Sequence, residues 1–253
     1  MANDLLASMV VAIWAYLLLG RGSFWLGRQR DNGPASGEVS WPAIVAIIPA
    51  RDEAETVGQT ISSLLQQDYP GEFSILLVDD QSRDGTAEIA RAAATSLGDA
   101  TRLTVLPGRP LPAGWTGKLW AQHQGVEATL AFSPSPAYLL LTDADIVYAP
   151  HALRALIVRA QTGGYVLTSL MAKLRCTTLA ERFFIPAFIF FFQMLYPFGW
   201  ANNPRRGTAA AAGGCMLVRR DALAQAVLAS QKVQEAFGID VTLQVGHIGH
   251  QAA

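Results

Sequence analysis

Charge is scarce in this chain: only 15% of its 253 residues are Asp, Glu, Lys or Arg, against about 25% in an average soluble domain. The scarcity extends to both signs. Nineteen Lys and Arg nearly balance twenty Asp and Glu, for a formal net charge of −1, so the chain as a whole has no positive field to hold nucleic acid or an anionic bilayer. Cysteine is equally sparse, and the two present, Cys176 and Cys215, form neither a disulfide framework nor a metal-ligand spacing. No Walker sequence and no G-x-G-x-x-G follows an apolar run, which removes the glycine-rich loops that cradle phosphate. His123, His151, His247 and His250 lack zinc spacing, no nucleophile-elbow serine is present, and His123 reads as a structural residue of an amphipathic helix. Internal repeats and low-complexity tracts are absent too.

Hydrophobicity is abundant and concentrated. Leu5 to Gly20 (LLASMVVAIWAYLLLG) runs 16 residues without a charge, about 24 Å as a helix at roughly 1.5 Å per residue. Trp14, Tyr16 and Trp25 suit a membrane interface, and the following arginines can snorkel. A cleaved signal peptide needs a basic region ahead of its apolar run, whereas here Asp4 precedes it and Arg21, Arg28 and Arg30 follow. The run therefore reads as a membrane anchor over 1–27, with a buried helix as the alternative. The positive-inside rule puts the remainder in the cytoplasm, on the inner (cytoplasmic) membrane. Residues 28–42 read as a linker. A second block, Phe183 to Trp200, holds seven phenylalanines together with Pro186, Gln193 and Pro197; the prolines and the glutamine favour an interfacial or re-entrant helix over a clean span, and an ordinary core helix is the alternative.

From Ala43 onward apolar runs alternate with amphipathic ones: AIVAIIP, a helix from about Ala54 to Gln67, SILLVDD, a helix from Thr86 to Leu97, RLTVLP, a helix from Lys118 to Ala131, AYLLLTDAD, a helix from Pro150 to Gln161, and YVLTSLMAKL. Such alternation predicts βαβ units, an α/β fold with a mostly parallel sheet flanked by helices. Ligands collect at the carboxyl ends of such strands, and there the polar residues cluster: Arg51-Asp52-Glu53, Asp79-Asp80 and Asp143-Ala144-Asp145. One strand-end carboxylate caps a helix as readily as it binds a ligand, and Asp84 in the SRDGT turn reads as such a cap. Several at one sheet edge repel each other unless a cation or a donor-rich ligand lies among them. In Asp143-x-Asp145 alternate residues point the same way, so two hard oxygen donors can meet one Mg²⁺ or Mn²⁺. Lys118, opening a helix in GWTGKLWA, is either a counter-charge for phosphate or a surface lysine.

The series IIPARDEAETV, LLVDDQSRDGT, LTDADI and GGCMLVRRDAL resembles the ordered motifs of family 2 glycosyltransferases over roughly Trp41 to Leu223. With WTGKLWA added, it most resembles the membrane-associated glycosyltransferases of hopanoid gene clusters. The resemblance implies a GT-A fold, with a nucleotide-sugar-binding half over 43–146 and an acceptor half over 147–223 that contains the interfacial helix 183–200. It implies that Pro49, Arg51 and Glu53 line the nucleotide pocket with Lys118 and Asp143, and that Asp80 accepts hydrogen bonds from the base. Asp143 and Asp145 would hold the metal, and Gly213 and Gly214 would form an acceptor-side loop, although a plain β-bulge would account for the glycines equally. The implied reaction is metal-dependent, inverting transfer of a sugar from a nucleoside diphosphate to a lipid or lipid-linked acceptor at a membrane, with a divalent cation as cofactor and no nucleic acid partner. Members of the family carry a Glu-Asp pair as general base. Here GIDVTLQV has Ile239 in place of the glutamate, which leaves Asp240 as the base. No Gln-x-x-Arg-Trp helix follows, so residues 224–253 read as a divergent or truncated tail, and a catalytically silent nucleotide-sugar-binding protein is the alternative function.

Overall fold

The computed structural model describes residues 2–28, 39–203, 205–208 and 210–225. In chain order the elements are α1 (Ala2–Ala15), β1 (Ile44–Ala50), α2 (Val57–Leu65), β2 (Phe73–Asp79), α3 (Thr86–Ser96), β3 (Leu103–Pro107), α4 (Gly117–Ala128), β4 (Tyr138–Thr142), α5 (Ala152–Thr162), β5 (Leu167–Ser169), α6 (Leu179–Leu195), α7 (Phe198–Ala201) and β6 (Cys215–Arg219). They fall into two compact units, one drawn from the described residues of 2–28 and 173–210, the other from those of 39–172 and 211–225.

The larger unit is a six-stranded sheet in the order β3-β2-β1-β4-β6-β5. β1 pairs in parallel with β2 and β4, and β2 with β3. These strands are runs of Ile, Leu and Val because helices cover both faces and neither face needs polar residues. Successive side chains alternate between two cores. Ile44, Ala46 and Ile48 pack with Val57, Ile61, Leu64 and Leu156 on one side, whereas Val45 and Ile47 pack with Leu76, Leu139 and Val126 on the other.

The mostly parallel sheet expected from the sequence is present, with one reversal. β6 runs antiparallel to both β4 and β5, and of YVLTSLMAKL only three residues form strand. The CMLVR run, which the alternating pattern did not predict as a strand, takes the place next to β4 because β5 follows α5 only as a short outer strand and the chain returns later to fill the gap.

The smaller unit contains both apolar blocks. Asn3–Gly20 has a mean hydropathy of 1.6 and is 0% buried, and Leu179–Ala201 has 1.5 and is 6% buried. That exposure removes the buried-helix reading for both. α6 opens with a capping box, Thr178 accepting from the Glu181 N–H while Glu181 reaches back to the Thr178 N–H. It starts earlier than the phenylalanine block and stops before Pro197, whose ring disfavours helical geometry at Tyr196. At its far end the Arg21 guanidinium donates to the carbonyls of Met194 and Leu195, both at 3.0 Å, satisfying groups that have no partner within the helix. Phe24, 5% exposed, meets Phe190 edge-on at 5.1 Å.

Gly125 sets how closely α4 lies on the sheet: a Cβ there would stand 2.4 Å from Cγ2 of the fully buried Ile47. Gly125→Val is therefore expected to lower stability by about 1–3 kcal/mol through overpacking, read as a reduced midpoint in thermal or urea unfolding of the purified protein. An unchanged midpoint would mean that α4 has room to spare.

Candidate functional site

The parallel strands β2, β1 and β4 end on one rim of the sheet, and the three polar clusters follow them there. Pro49, Arg51, Glu53, Asp80, Lys118, Asp143 and Asp145 all line a single cleft of about 270 Å³, together with Gly117 and the small residues Ala50, Ala121 and Ala144. Seven residues singled out from the sequence are thus brought together by the fold.

Two loops form the floor, and they are cross-tied. Three consecutive backbone N–H groups after β1 donate to side chains of the turn after β2: Asp52 to Ser82 Oγ at 3.0 Å, Glu53 to Thr86 Oγ1 at 2.9 Å, and Ala54 to Asp84 Oδ2 at 2.9 Å. Asp52 replies by accepting the Arg83 N–H at 2.8 Å. These ties precede α2, which begins at Val57 and not near Ala54. They also hold two non-glycine residues in left-handed backbone, Asp52 at φ 54° and Gln81 at φ 62°, a strain of about 1–3 kcal/mol each. The expectation that Asp84 is a local cap was half the answer: it also spans the two loops.

Asp80 is 5% exposed. Its N–H donates to the Ala50 carbonyl at 2.8 Å, its Oδ2 lies 3.5 Å from Arg51 Nη1, and the first turn of α4 presses close, a Cβ on Gly117 falling 3.0 Å from that oxygen. The Asp80 carboxylate thus sits between a guanidinium and the N-terminus of a helix.

Asp143 Oδ1 lies 2.6 Å from Lys118 Nζ. This oxygen is itself shielded from solvent, with the ammonium as its charged neighbour. Behind it, Tyr148 Oη bonds to Thr142 Oγ1 at 2.7 Å and Thr142 Oγ1 donates to the Gly214 carbonyl at 3.0 Å. Burial pushes the Tyr148 phenol and the Cys215 thiol up, so both stay neutral behind the aspartates.

Asp143 and Asp145 offer hard oxygens, one of them shielded from solvent, but among the described residues no three His, Cys, Asp or Glu side chains converge on one point. Such a pair fits Mg²⁺ or Mn²⁺ that takes its other ligands from substrate phosphate and water. Gly213 and Gly214 do not line the cleft. Gly214 bonds to the end of β4, accepting from the Asp143 N–H at 3.4 Å, and a Cβ on it would meet Asp143 Oδ2 at 3.6 Å. Asp240, with Ile239, lies outside the described residues.

Known proteins give this geometry a context. The sequence pattern of glycosyl transferase family 2 matches residues 45–226. The 4,4'-diaponeurosporenoate glycosyltransferase of Staphylococcus aureus is 27% identical over 158 residues, which is 62% of this chain and 38% of that protein. The chain thus spans well under half the length of the curated relatives it matches. The mannosyltransferase PcManGT from Pyrobaculum calidifontis, solved in complex with GDP-Man and Mn²⁺, superposes with a TM-score of 0.63 at 19% identity, covering 89% of this chain and 58% of that one. At that identity the likeness speaks for the fold, which is GT-A-like.

The loop ties generate a prediction independent of any ligand. The Thr86 hydroxyl first, and then the Ala54 N–H, hold the Asp84 carboxyl below the ordinary aspartate value. A lowered folded-state value means that the tie is intact above the ordinary carboxylate range and is lost as pH falls through the lowered one. Asp84→Ala should accelerate amide hydrogen exchange at Ala54 and its neighbours at neutral pH, measured by mass spectrometry, with α5 as an unchanged control. Equal exchange in both proteins would mean that the loops do not depend on Asp84.

Proposed function

The chain belongs to glycosyl transferase family 2, and on that premise we propose that it moves a sugar from a nucleoside diphosphate donor to a lipid or lipid-linked acceptor at a membrane, with a divalent cation in the cleft. The observation that carries this reading is the convergence of Asp80, Asp143, Asp145, Arg51 and Lys118 on one cleft at the strand ends.

The roles follow from chemistry. Asp80, nearly buried and fixed by Arg51 and Gly117, accepts hydrogen bonds from the nucleobase, while Pro49, Arg51 and Glu53 shape the pocket around it. Asp143 and Asp145 hold the cation, which when bound offsets the negative charge of the departing diphosphate. Lys118, already beside Asp143, supplies a second positive charge to the same phosphates. Gly213 and Gly214 serve the acceptor side by giving backbone access next to β4. In an inverting transfer a base must take the acceptor proton, and Asp240, 26 residues beyond Gly214, is assigned that role by position. Ile239, where the family has a glutamate, favours the second reading, a protein that binds nucleotide sugar without transferring it.

Support for a lipid acceptor comes from the exposed apolar helices of the smaller unit, from a relative whose name specifies 4,4'-diaponeurosporenoate, and from the likeness of WTGKLWA to glycosyltransferases of hopanoid gene clusters. Arg21, Arg28 and Arg30 after α1 favour the cytoplasmic membrane, with the sheet on the cytoplasmic side.

The test is transfer or hydrolysis of radiolabelled nucleotide sugars by the purified protein in lipid nanodiscs. Asp145→Asn is expected to depress transfer by about 10²- to 10³-fold, the scale of losing one electrostatic stabiliser, with nucleotide still bound but no longer tightened by the cation. Asp80→Ala should instead weaken donor binding about 10- to 100-fold, the worth of a charged hydrogen bond. Undiminished transfer by Asp145→Asn, or by the natural protein in EDTA, would contradict the cation's role. Nucleotide binding with neither transfer nor hydrolysis would establish the silent binder.

A further inference from the structure

The net charge of −1 hides a separation. The described residues of the smaller unit carry seven Lys and Arg, among them Arg21, Arg182, Arg205 and Arg206, against only Asp4 and Glu181. That unit is therefore +5, and the remainder of the sequence −6. The expectation that this protein has no positive field for an anionic bilayer holds for the sum of the chain but not for this unit.

The same unit displays the apolar surface. Leu179, Phe183 and Phe184 on α6 are 85%, 81% and 72% exposed. Trp200 lies between two guanidiniums, with Arg21 5.3 Å and Arg206 5.1 Å from the ring centre. Tryptophan flanked by arginine is suited to the headgroup level of a membrane, where the ring is half wet and the cations meet phosphate.

Chain connectivity decides how α6 meets a bilayer. Residues 173–210 leave and return to the sheet at one place: the Ala212 N–H donates to Ser169 Oγ at 2.8 Å, that hydroxyl donates to the Ala212 carbonyl at 3.1 Å, and β5 pairs with β6 beside them. Among its described residues the excursion holds one long helix and the four-residue α7. Were α6 to span, the chain beyond it would have to recross the hydrocarbon without a second long helix, leaving backbone donors and acceptors with no partners there. Arg21 adds an independent constraint, because its bonds to Met194 and Leu195 tie the end of α6 to the residue that follows the apolar run Asn3–Gly20.

We propose that Leu179–Ala201, although long and apolar enough to span, lies in the plane of an anionic membrane leaflet, its phenylalanines sunk into the acyl boundary and its arginines on lipid phosphate. This rests on α1 being the membrane anchor of the function proposed above. An in-plane helix of this kind sinks its apolar face about 5–10 Å, and it binds more strongly the more anionic the surface.

The test uses the full chain, with Cys176→Ser, in vesicles of phosphatidylcholine with and without phosphatidylglycerol. Leu179→Cys, Phe188→Cys and Tyr196→Cys are each labelled with an environment-sensitive fluorophore, and depth is read by quenching from lipids spin-labelled near the headgroup or at mid-chain. All three positions are expected to be quenched most by the headgroup label. That quenching should be lost without phosphatidylglycerol, at high salt, or in an Arg205→Gln/Arg206→Gln variant, while α1 keeps the protein afloat with the vesicles. A profile in which Phe188 is deepest and the two ends lie in opposite leaflets would overturn the proposal, as would shallow quenching indifferent to phosphatidylglycerol, or no quenching in protein that still floats. Protein that does not float would refute the anchor together with this proposal, whereas absence of sugar transfer with the shallow profile intact would count against the transferase reading alone.

Discussion

Asp80 and Asp143 enter one cleft from strands on either side of β1, and carboxylates gathered in a partly dry site demand positive charge between them. In this protein Arg51 answers Asp80 at 3.5 Å and Lys118 answers Asp143 at 2.6 Å. Both cations are more than half exposed at their side chains, so they can be drawn toward an arriving ligand at little cost. The carboxylates cannot follow, being fixed by strand ends and by the packing of α4. A polyanionic substrate carrying its own cation would therefore meet a cleft with fixed negative and movable positive groups, which matches a nucleoside diphosphate with Mg²⁺ or Mn²⁺ better than it matches a neutral ligand.

That arrangement depends on rigidity just behind it. The ties from Ser82, Thr86 and Asp84 to the backbone after β1 keep two strained residues in place. On the other side the Tyr148, Thr142 and Gly214 chain pins the end of β6 to the end of β4. Both devices use neutral or locally satisfied groups, so neither disturbs the charge balance in the cleft.

Much of this was legible in the sequence, for physical reasons. Apolar runs ending in Asp or Arg identify buried parallel strands and the rim where they stop, because a run of core residues gives way to charge where the chain leaves the sheet. The D-x-D triplet and the lysine opening α4 were readable in the same way. The ties between loops were not, since Ser82, Thr86 and Asp84 look like any polar turn until the fold brings β1 beside β2. Gly213 and Gly214 suited an acceptor-side loop and a β-bulge equally, and the bonds of Gly214 to the end of β4 could not be read from a glycine pair. β6 escaped because a reversed strand carries the same apolar signature as a parallel one. The charge separation escaped because the basic residues are scattered over positions 21–28 and 173–206 and come together only in the folded unit.

The central claim is that cation and diphosphate complete the cleft together, and calorimetric titration of the natural protein with Mn²⁺ tests it most directly. Two aspartates without a third ligand should bind Mn²⁺ weakly on their own, and a saturating nucleoside diphosphate should tighten that binding at least tenfold, with the reciprocal tightening of the nucleotide by Mn²⁺ that linkage requires. Equal Mn²⁺ affinity with and without the nucleotide, or nucleotide binding indifferent to Mn²⁺, would contradict it.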